Sequence, residues 1–451
     1  MEENKSLEVF AKAPIRKAVL QNALPAMAAM LMVLVYNLAD TFFIGQTHDD
    51  LQVAAVSLAT PVFLLFMSVG TVFGIGGTSV ISRALGEGRN DYAKKVCSFC
   101  MWSCVGVGVL MSALFLLFMD PILSLIGASA ETWAYAKTNL TIVSCSGPFV
   151  LIANCYSNII RAEGQSGKAM MGQLLGNLLN VILDPIMILA LHWNITGAAI
   201  ATVIGNVVGA GYYILYFLKG ESTLSIRLRD FSVKDKVASG VFAIGIPAAL
   251  GNLLMSLSSI LMNSQMAKYG DMAVAGVGVA MKVTMMTGMV CIGLGQGVQP
   301  LLGYCVGARN WPRYKSALRF SLQFAFALSV VLTALCYLFT GQIVSAFLTD
   351  AAAYDYGFAF SRILLCTSFL FGVFYVLTNA LQACGAATES FIVNISRQGL
   401  IYIPAMFFLG SIFHETGLIW AQPVADVLSF LLAIALYYRK SKTMVECFKT
   451  P

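Results

Sequence analysis

The residues of this chain that are best suited to chemistry are polar side chains inside otherwise apolar stretches. Residues 176–188 read GNLLNVILDPIMI and place Asn177, Asn180 and Asp184 among large apolar side chains. At about 100° per residue, these three and Gln173 form one polar stripe along a predicted helix. Asn and Asp can join helices by hydrogen bonds alone. A buried carboxylate, however, also needs a partner for its charge.

Two further features add oxygen atoms that could bind a cation. Asp40 shares a second polar stripe with Tyr36 and Asn37, and no Lys or Arg lies near it in the sequence. Pro185 has no amide hydrogen, so the carbonyl of Val181 loses its intrahelical donor and stays available as a ligand or at a kink. Together the two stripes therefore combine carboxylate, amide and carbonyl oxygens.

The composition indicates that these stripes lie within a membrane. Of 451 residues, 58% are hydrophobic and only 11% are charged, whereas a soluble protein carries roughly a quarter charged residues. Apolar runs of about 20 residues, long enough to cross the hydrocarbon core, recur along nearly the whole chain. We therefore predict an all-α integral membrane protein with no sizeable soluble domain.

Twelve membrane-spanning helices are predicted, because loop signals of Gly, Pro, Asn, Asp and clustered charge separate twelve apolar runs. The first six are expected near residues 17–44, 53–84, 93–119, 131–161, 168–192 and 195–218. The second six are expected near residues 237–268, 273–305, 315–340, 354–384, 390–413 and 416–438. This pattern predicts an N-terminal lobe over 1–219, a cytoplasmic linker over 220–236 and a C-terminal lobe over 237–451.

The distribution of charge predicts the orientation of the helices. Five of the 28 Lys and Arg residues lie in or beside spans away from the cytoplasmic side, namely Lys137, Lys268, Lys282, Arg362 and Arg397. The opposite loops carry Asp49, Asp50, Asp120, Asp271, Asp350 and Glu415. We expect a multi-pass protein of the cytoplasmic membrane with both termini on the cytoplasmic side. We also expect its amino terminus not to be cleaved, because it lacks the features of a secretory signal. Its net charge of +6 then reflects topology and contact with lipid headgroups, not nucleic acid.

An internal repeat organises the chain. VAAVSLATPVF at residue 53 matches VAGVGVAMKVT at residue 274, an offset of 274 − 53 = 221 residues. LGEGRNDYAKK at 85 resembles VGARNWPRYKS at 306, and NIIRAEG at 158 resembles NALQACG at 379. Because each repeat holds six predicted spans, both enter the membrane in the same direction. Two parallel repeats facing each other are typical of an alternating-access transporter.

The depths of the polar residues place them at one level of the first lobe. Counted from the outer helix ends, Asp40 lies about 8 Å deep, and Asp184 and Thr202 each lie about 12 Å deep. Two carboxylates, the Asn180 amide oxygen and the Thr202 hydroxyl would suit a hard cation such as sodium. Without a metal, adjacent carboxylates in a low dielectric cannot both stay ionised, so protons could also drive the site.

The ordered motifs resemble those of the multidrug and toxic compound extrusion (MATE) family, nearer to its DinF-like branch than to its NorM branch. They are LPAMAAMLMVLVYNLADTFFIG in the first span, RAEGQSGKA after the fourth and GNLLNVILDP in the fifth. The resemblance covers essentially the whole chain. It implies a MATE-type fold and cation-coupled export of organic, often cationic, compounds. It also implies cation binding at the four positions Asp40, Asn180, Asp184 and Thr202, and a kink at Pro25.

The second lobe departs from the NorM pattern, because no carboxylate lies between Lys236 and Lys268 in its seventh span or between Asp355 and Ala383 in its tenth. Lys282, Arg397 and Asp426 lie within or near its spans, and we expect them to form structural ion pairs in preference to binding substrate. Methionine side chains can repack around many shapes. Residues of this type in spans seven and eight that could line a substrate pocket are Met255, Met262, Met285 and Met289.

Other function classes fit the sequence less well. Cys97 and Cys100 form a CxxC without a second pair or a nearby His, so we expect packing there, and no metal or other cofactor beyond a coupling ion. The chain lacks the clustered His or acidic motifs of a membrane-embedded enzyme. The alternative is a lipid-linked precursor flippase of the same superfamily, which would require a strongly cationic cavity. We therefore predict a monomeric proton- or sodium-coupled antiporter for small cationic, amphiphilic compounds.

Overall fold

The computed structural model describes residues 5–45, 50–220 and 222–449, and all regular structure within them is helical. Asp49, one of the residues that predicted the orientation, lies outside the described residues. The helices of the first half are α1 (Lys5–Ala11), α2 (Ile15–Gly45), α3 (Asp50–Gly86), α4 (Asn90–Leu117), α5 (Met119–Leu125), α6 (Trp133–Cys145), α7 (Gly147–Ala162), α8 (Ser166–Asp184) and α9 (Asn194–Leu218). Those of the second half are α10 (Val237–Met266), α11 (Asp271–Gly307), α12 (Trp311–Leu338), α13 (Thr340–Phe347), α14 (Ala351–Leu365), α15 (Phe371–Ala383), α16 (Ala387–Ile395) and α17 (Tyr402–Lys449).

The predicted twelve-span architecture is confirmed once two breaks are taken into account. Ten helical runs in the described parts of the chain are long and apolar enough to cross a membrane. An eleventh span is the bent pair α6 and α7, which meet at 54° where Pro148 removes a backbone donor. The last run, Ala387–Thr443, has 57 residues, and the non-helical backbone of His414 (φ 54°) divides it into two spans.

Helix boundaries follow the sequence pattern closely, apart from short elements that it did not reveal. The predicted span over 93–119 corresponds to Asn90–Leu117, and the span over 273–305 corresponds to Asp271–Gly307. Helices α5 and α13 were not predicted, because seven or eight residues are too few to give a clear period. They begin at equivalent points of the two repeats, since 340 − 119 = 221. Their recurrence supports the internal repeat.

Two compact units make up the chain, and two of their three boundaries fall inside helices α2 and α10, while the third lies directly after α1. Unit 1 contains residues 1–11 and 28–246, and unit 2 contains residues 12–27 and 247–451. The boundary in α2 lies two residues after Pro25, and the boundary in α10 lies directly before Pro247. A proline inside a helix removes one backbone hydrogen bond and favours a kink. Each of these helices therefore changes unit at its weakest point.

Glycines allow the first half of α10 to pack directly against α3 within unit 1. A Cβ atom at Gly76 would lie 2.1 Å from the carbonyl oxygen of Val241, and one at Gly245 would lie 1.9 Å from that of Val72. Unit 2 uses the same device, since Gly293 and Gly297 of α11 leave room for the backbone of α2. Small residues permit such close backbone approach between helices in lipid, where burial of apolar surface supplies little driving force.

We expect Gly245→Ala to destabilise the protein by about 1–3 kcal/mol, because the added methyl group collides with backbone, which cannot rotate away as a side chain can. Thermal unfolding of the purified protein in detergent would measure this as a lower Tm. Gly211→Ala is the matched control, since a Cβ atom there meets nothing within 4 Å. An equal loss of Tm in both variants would contradict the packing described here.

Candidate cation-binding site

The candidate site lies within unit 1, where helices α8 and α9 approach each other at two glycines. A Cβ atom at Gly176 would lie 2.7 Å from the carbonyl oxygen of Gly205, and the reverse distance, from Gly205 to the Gly176 oxygen, is the same. The position of Gly205 also brings α9 against the Cβ atom of Asn180. This close approach places Asn180 beside Thr202, one turn of α9 before Gly205.

The Asn180 amide links the two helices by hydrogen bonds. In the orientation that satisfies both ends of this amide, its nitrogen donates to Oδ2 of Asp184 at 2.9 Å. Its oxygen then accepts from the backbone nitrogen of Thr202 at 3.0 Å and from the Thr202 hydroxyl at 3.2 Å. Asn180 is itself buried. Sequence spacing predicted the stripe, but only the packing of α8 on α9 supplies Thr202 as its neighbour.

The outer half of α2 completes the site. The Tyr36 hydroxyl forms a hydrogen bond with Thr202, and Asp40, one turn further along α2, lies close enough to Asp184 for their charges to interact. Asp40 is partly buried, whereas Asp184 is fully buried. Two carboxylates at short range in a low dielectric repel each other unless a proton or a cation joins them.

One atom of this site has no partner. The Oδ1 oxygen of Asp184 is buried and accepts no hydrogen bond, although its residue is 0% exposed. Nearby on α8, the Nδ2 atom of Asn177 is also unpaired. Buried polar atoms in folded proteins almost always have a partner, and a buried carboxylate oxygen without one is costly. The arrangement therefore suits a proton on Asp184 or a cation between the carboxylates.

The other residues singled out from the sequence have different surroundings. Pro185 begins a π-helical segment, Pro185–Ala190, directly after Asp184, as expected where a missing amide hydrogen disturbs the ladder. Asn37 is partly buried on α2, and Pro25 lies inside the same helix. Gln173 has a different partner, because its side-chain oxygen accepts from Nη2 of Arg161 at 3.2 Å. The stripe on α8 is thus divided between two polar groups.

A second buried carboxylate of unit 1, Glu163, was not singled out from the sequence as a functional residue. It accepts hydrogen bonds from Tyr216 at 2.8 Å, from Ser222 at 2.8 and 3.0 Å, and from Thr223. Burial raises the pKa of Glu163, and the hydrogen bonds from Tyr216 and Ser222 act in the opposite direction. These contacts bind the start of the linker to the end of α7. One signal in the sequence could have indicated it, namely a Glu close after the predicted fourth span.

Metal-ligating side chains do not gather at this site in the numbers that a transition metal would need. Among the described residues, no three side chains of His, Cys, Asp or Glu are placed to hold a metal ion. A sodium ion bound here would depend on neutral oxygens beside the two carboxylates, as supplied by Asn180 and Thr202. Cys97 and Cys100 are both buried; the Cys97 sulfur lies 3.7 Å from the Tyr156 hydroxyl, and the Cys100 thiol donates to the Phe73 carbonyl at 3.5 Å.

Unit 2 contains an ion pair, as expected, but only two of the three charged residues expected to pair belong to it. Arg397 and Asp426 are paired at 2.8 Å, whereas the ammonium group of Lys282 lies 5.5 Å from the centre of the Phe347 ring. Of the methionines expected to line a pocket, Met262 belongs to a packed apolar core. Met285 and Met289 are partly buried, and Met255 is exposed. The position of Met262 therefore favours packing over substrate contact.

Comparison with known proteins adds independent support to this architecture. The chain matches the MatE family model over residues 25–186 and again over residues 247–408. It is 32% identical over 436 residues to the multidrug export protein MepA of Staphylococcus aureus (strain NCTC 8325 / PS 47), covering 97% of this chain and 96% of that protein. The MepA of Staphylococcus haemolyticus (strain JCSC1435) is 32% identical over 443 residues with the same coverage.

Solved structures agree on the fold. A MATE protein in the straight conformation superimposes with a TM-score of 0.92 at 24% identity, covering 98% of this chain and 99% of that one. A multidrug resistance MATE family transporter of the MOP superfamily, in an outward-facing conformation, gives 0.90 at 24% identity and covers 97% and 99%. Since the family model matches twice along the repeat and relatives align over nearly the whole length, the chain belongs to the MatE family of multi-pass membrane transporters.

Proposed function

We propose that this protein is a cation-coupled antiporter that exports small organic, often cationic and amphiphilic, compounds across the cytoplasmic membrane by alternating access of two lobes. It works as a monomer with both termini in the cytoplasm. The multidrug export proteins that align over nearly the full chain support the substrate class. They do not favour the alternative, a lipid-linked precursor flippase.

The observation that carries this proposal is the unpartnered Oδ1 of Asp184 in a fully buried carboxylate. A purely structural carboxylate would have its lone pairs satisfied, since each unpaired buried polar atom costs about 1–3 kcal/mol or more. A coupling residue must instead exchange its proton or cation during every cycle. It therefore needs an oxygen that no permanent donor occupies.

The geometry supports a simple form of coupling. When a proton or a cation is present, Asp40 and Asp184 can remain close together and Tyr36 can stay hydrogen-bonded to Thr202. When it leaves, the two carboxylates repel each other in a low dielectric. That repulsion acts between α2 and α8, so it favours a different packing of the outer half of α2. Pro25, near the point where α2 changes unit, gives this half-helix a place to bend.

Asp184→Asn and Asp40→Asn are each expected to abolish coupled export, because an amide keeps the shape of the side chain but can neither take up a proton nor neutralise a cation. Drug resistance and dye accumulation in cells with equal amounts of each variant would measure this. Asp120→Asn is the matched control, since Asp120 is an exposed carboxylate paired with Lys137 at 2.8 Å. Resistance at the wild-type level in both site variants would refute the assignment.

Asn180→Ala and Thr202→Ala are expected to weaken sodium-driven export much more than proton-driven export. Sodium requires several oxygen ligands at once, whereas a proton requires one carboxylate oxygen. Reconstituted vesicles with an imposed sodium gradient at constant pH, and then with a pH gradient in the absence of sodium, separate the two ions. If Asn180→Ala also stops proton-driven export, its role is to hold Asp184 in place through the 2.9 Å hydrogen bond.

A further inference from the structure

Unit 2 also contains a buried carboxylate, but each of its oxygens has a partner. Oδ1 of Asp426 accepts from Nε of Arg397 at 2.8 Å and from Nε2 of Gln422 at 2.9 Å. Oδ2 accepts from the Thr367 hydroxyl at 3.1 Å. Asp426 is 3% exposed. In contrast to Asp184, this carboxylate has no free oxygen on which an exchangeable ion could bind.

Aromatic rings enclose the arginine of this pair. The Cζ atom of Arg397 lies 4.5 Å from the centre of the Phe371 ring, 5.2 Å from that of Phe374 and 5.4 Å from that of Tyr375. Its Nη1 atom also donates to the Tyr375 hydroxyl at 2.7 Å. Aromatic faces attract cations and stack on the planar guanidinium group. The carboxylate gives the enclosure its negative charge.

We propose that these residues form a preformed cage for a planar organic cation of the guanidinium type, and that the side chain of Arg397 is its resident ligand. The cage consists of Asp426, Tyr375, Phe371 and Phe374, with Gln422 and Thr367 holding the carboxylate. The protein supplies its own cation here, so the cage is closed to a transported one. Arg397 thereby confines cation coupling to unit 1.

The local backbone supports this assignment. Arg397 lies in a π-helical segment, Ser396–Leu400, which follows α16. A π-helical turn carries one residue more than an α-helical turn, and such turns are frequently found at functional sites. Unit 1 also contains a π-helical segment, Pro185–Ala190, which follows Asp184, although the repeat offset places its counterpart at 185 + 221 = 406 and not at Ser396. In both units, a π-helical segment therefore contains the buried charged residue or directly follows it.

The size of the expected effect follows from the pairing. Removing one member of a buried ion pair is strongly destabilising because the other charge is left unpaired, whereas removing both can be nearly neutral. Arg397→Ala should therefore lower the Tm of the purified protein markedly. Arg397→Ala combined with Asp426→Asn should recover much of that loss.

The decisive experiment uses N-ethylguanidinium, at millimolar concentration far below denaturing levels, as a substitute for the missing side chain. It should raise the Tm of Arg397→Ala by several degrees, whereas sodium at the same ionic strength should not. Wild type and the double variant should not respond. An equal rise in all three proteins, or no rise in Arg397→Ala, would overturn the cage.

Arg397→Lys provides a second measurement in case Arg397→Ala does not fold. Lysine keeps the charge but lacks the planar fork that reaches Asp426 and Tyr375 together, so it should restore only part of the wild-type Tm. Full restoration would show that the site needs only a positive charge.

Confinement of coupling to unit 1 rests on the proposed function and is tested separately. In reconstituted vesicles, Arg397→Gln combined with Asp426→Asn should retain the ion dependence of wild-type export. A lost or altered ion dependence would show that the pair exchanges a cation. The binding measurement with N-ethylguanidinium requires no transport, so it remains valid even if Asp40 and Asp184 have no coupling role.

Discussion

A carboxylate inside a bundle of helices that faces lipid must find its charge partner within the protein, and much of this structure depends on that constraint. Asp184 is fully buried, and a charged side chain near mid-bilayer costs about 3 kcal/mol or more. The surrounding elements meet this cost only in part. Asn180 donates to one oxygen, while the other stays available. Under the proposed function, this unpartnered oxygen is where the coupling ion binds and leaves.

The two units meet the same constraint in different ways. Unit 1 brings a second carboxylate, Asp40, near enough to Asp184 for their charges to interact, and the proposed function assigns a mobile cation or proton to this pair. Unit 2 places a permanent cation, Arg397, against Asp426 and adds hydrogen bonds from Gln422 and Thr367, so that each carboxylate oxygen has a partner. The two halves share the helix pattern of the repeat. The neighbour of the buried carboxylate, however, is a second carboxylate in unit 1 and an arginine in unit 2. The repeat therefore extends to the helices of the two halves but not to their buried charged groups.

The chemistry depends on backbone contacts that only glycine permits. Gly176 and Gly205 let α8 and α9 approach closely enough for Asn180 to reach Thr202. Gly76 and Gly245 similarly hold the first half of α10 against α3 in unit 1. In lipid, such contacts replace the hydrophobic effect as the source of helix association. A larger side chain at these glycines would separate the helices and disperse the ligands.

The sequence by itself determined the membrane class, the twelve spans, the repeat and the polar stripes, because hydropathy and helical period are local properties of the chain. It also predicted a cation site at Asp40, Asn180, Asp184 and Thr202, from their depth and from the resemblance. The tertiary structure decided which polar residues meet: Gln173 turns to Arg161, Met262 enters a core, and Arg397 pairs with Asp426 while Lys282 does not. It also placed the unit boundaries near Pro25 and Pro247. These outcomes depend on how helices far apart in the sequence pack together, and no local pattern contains that information.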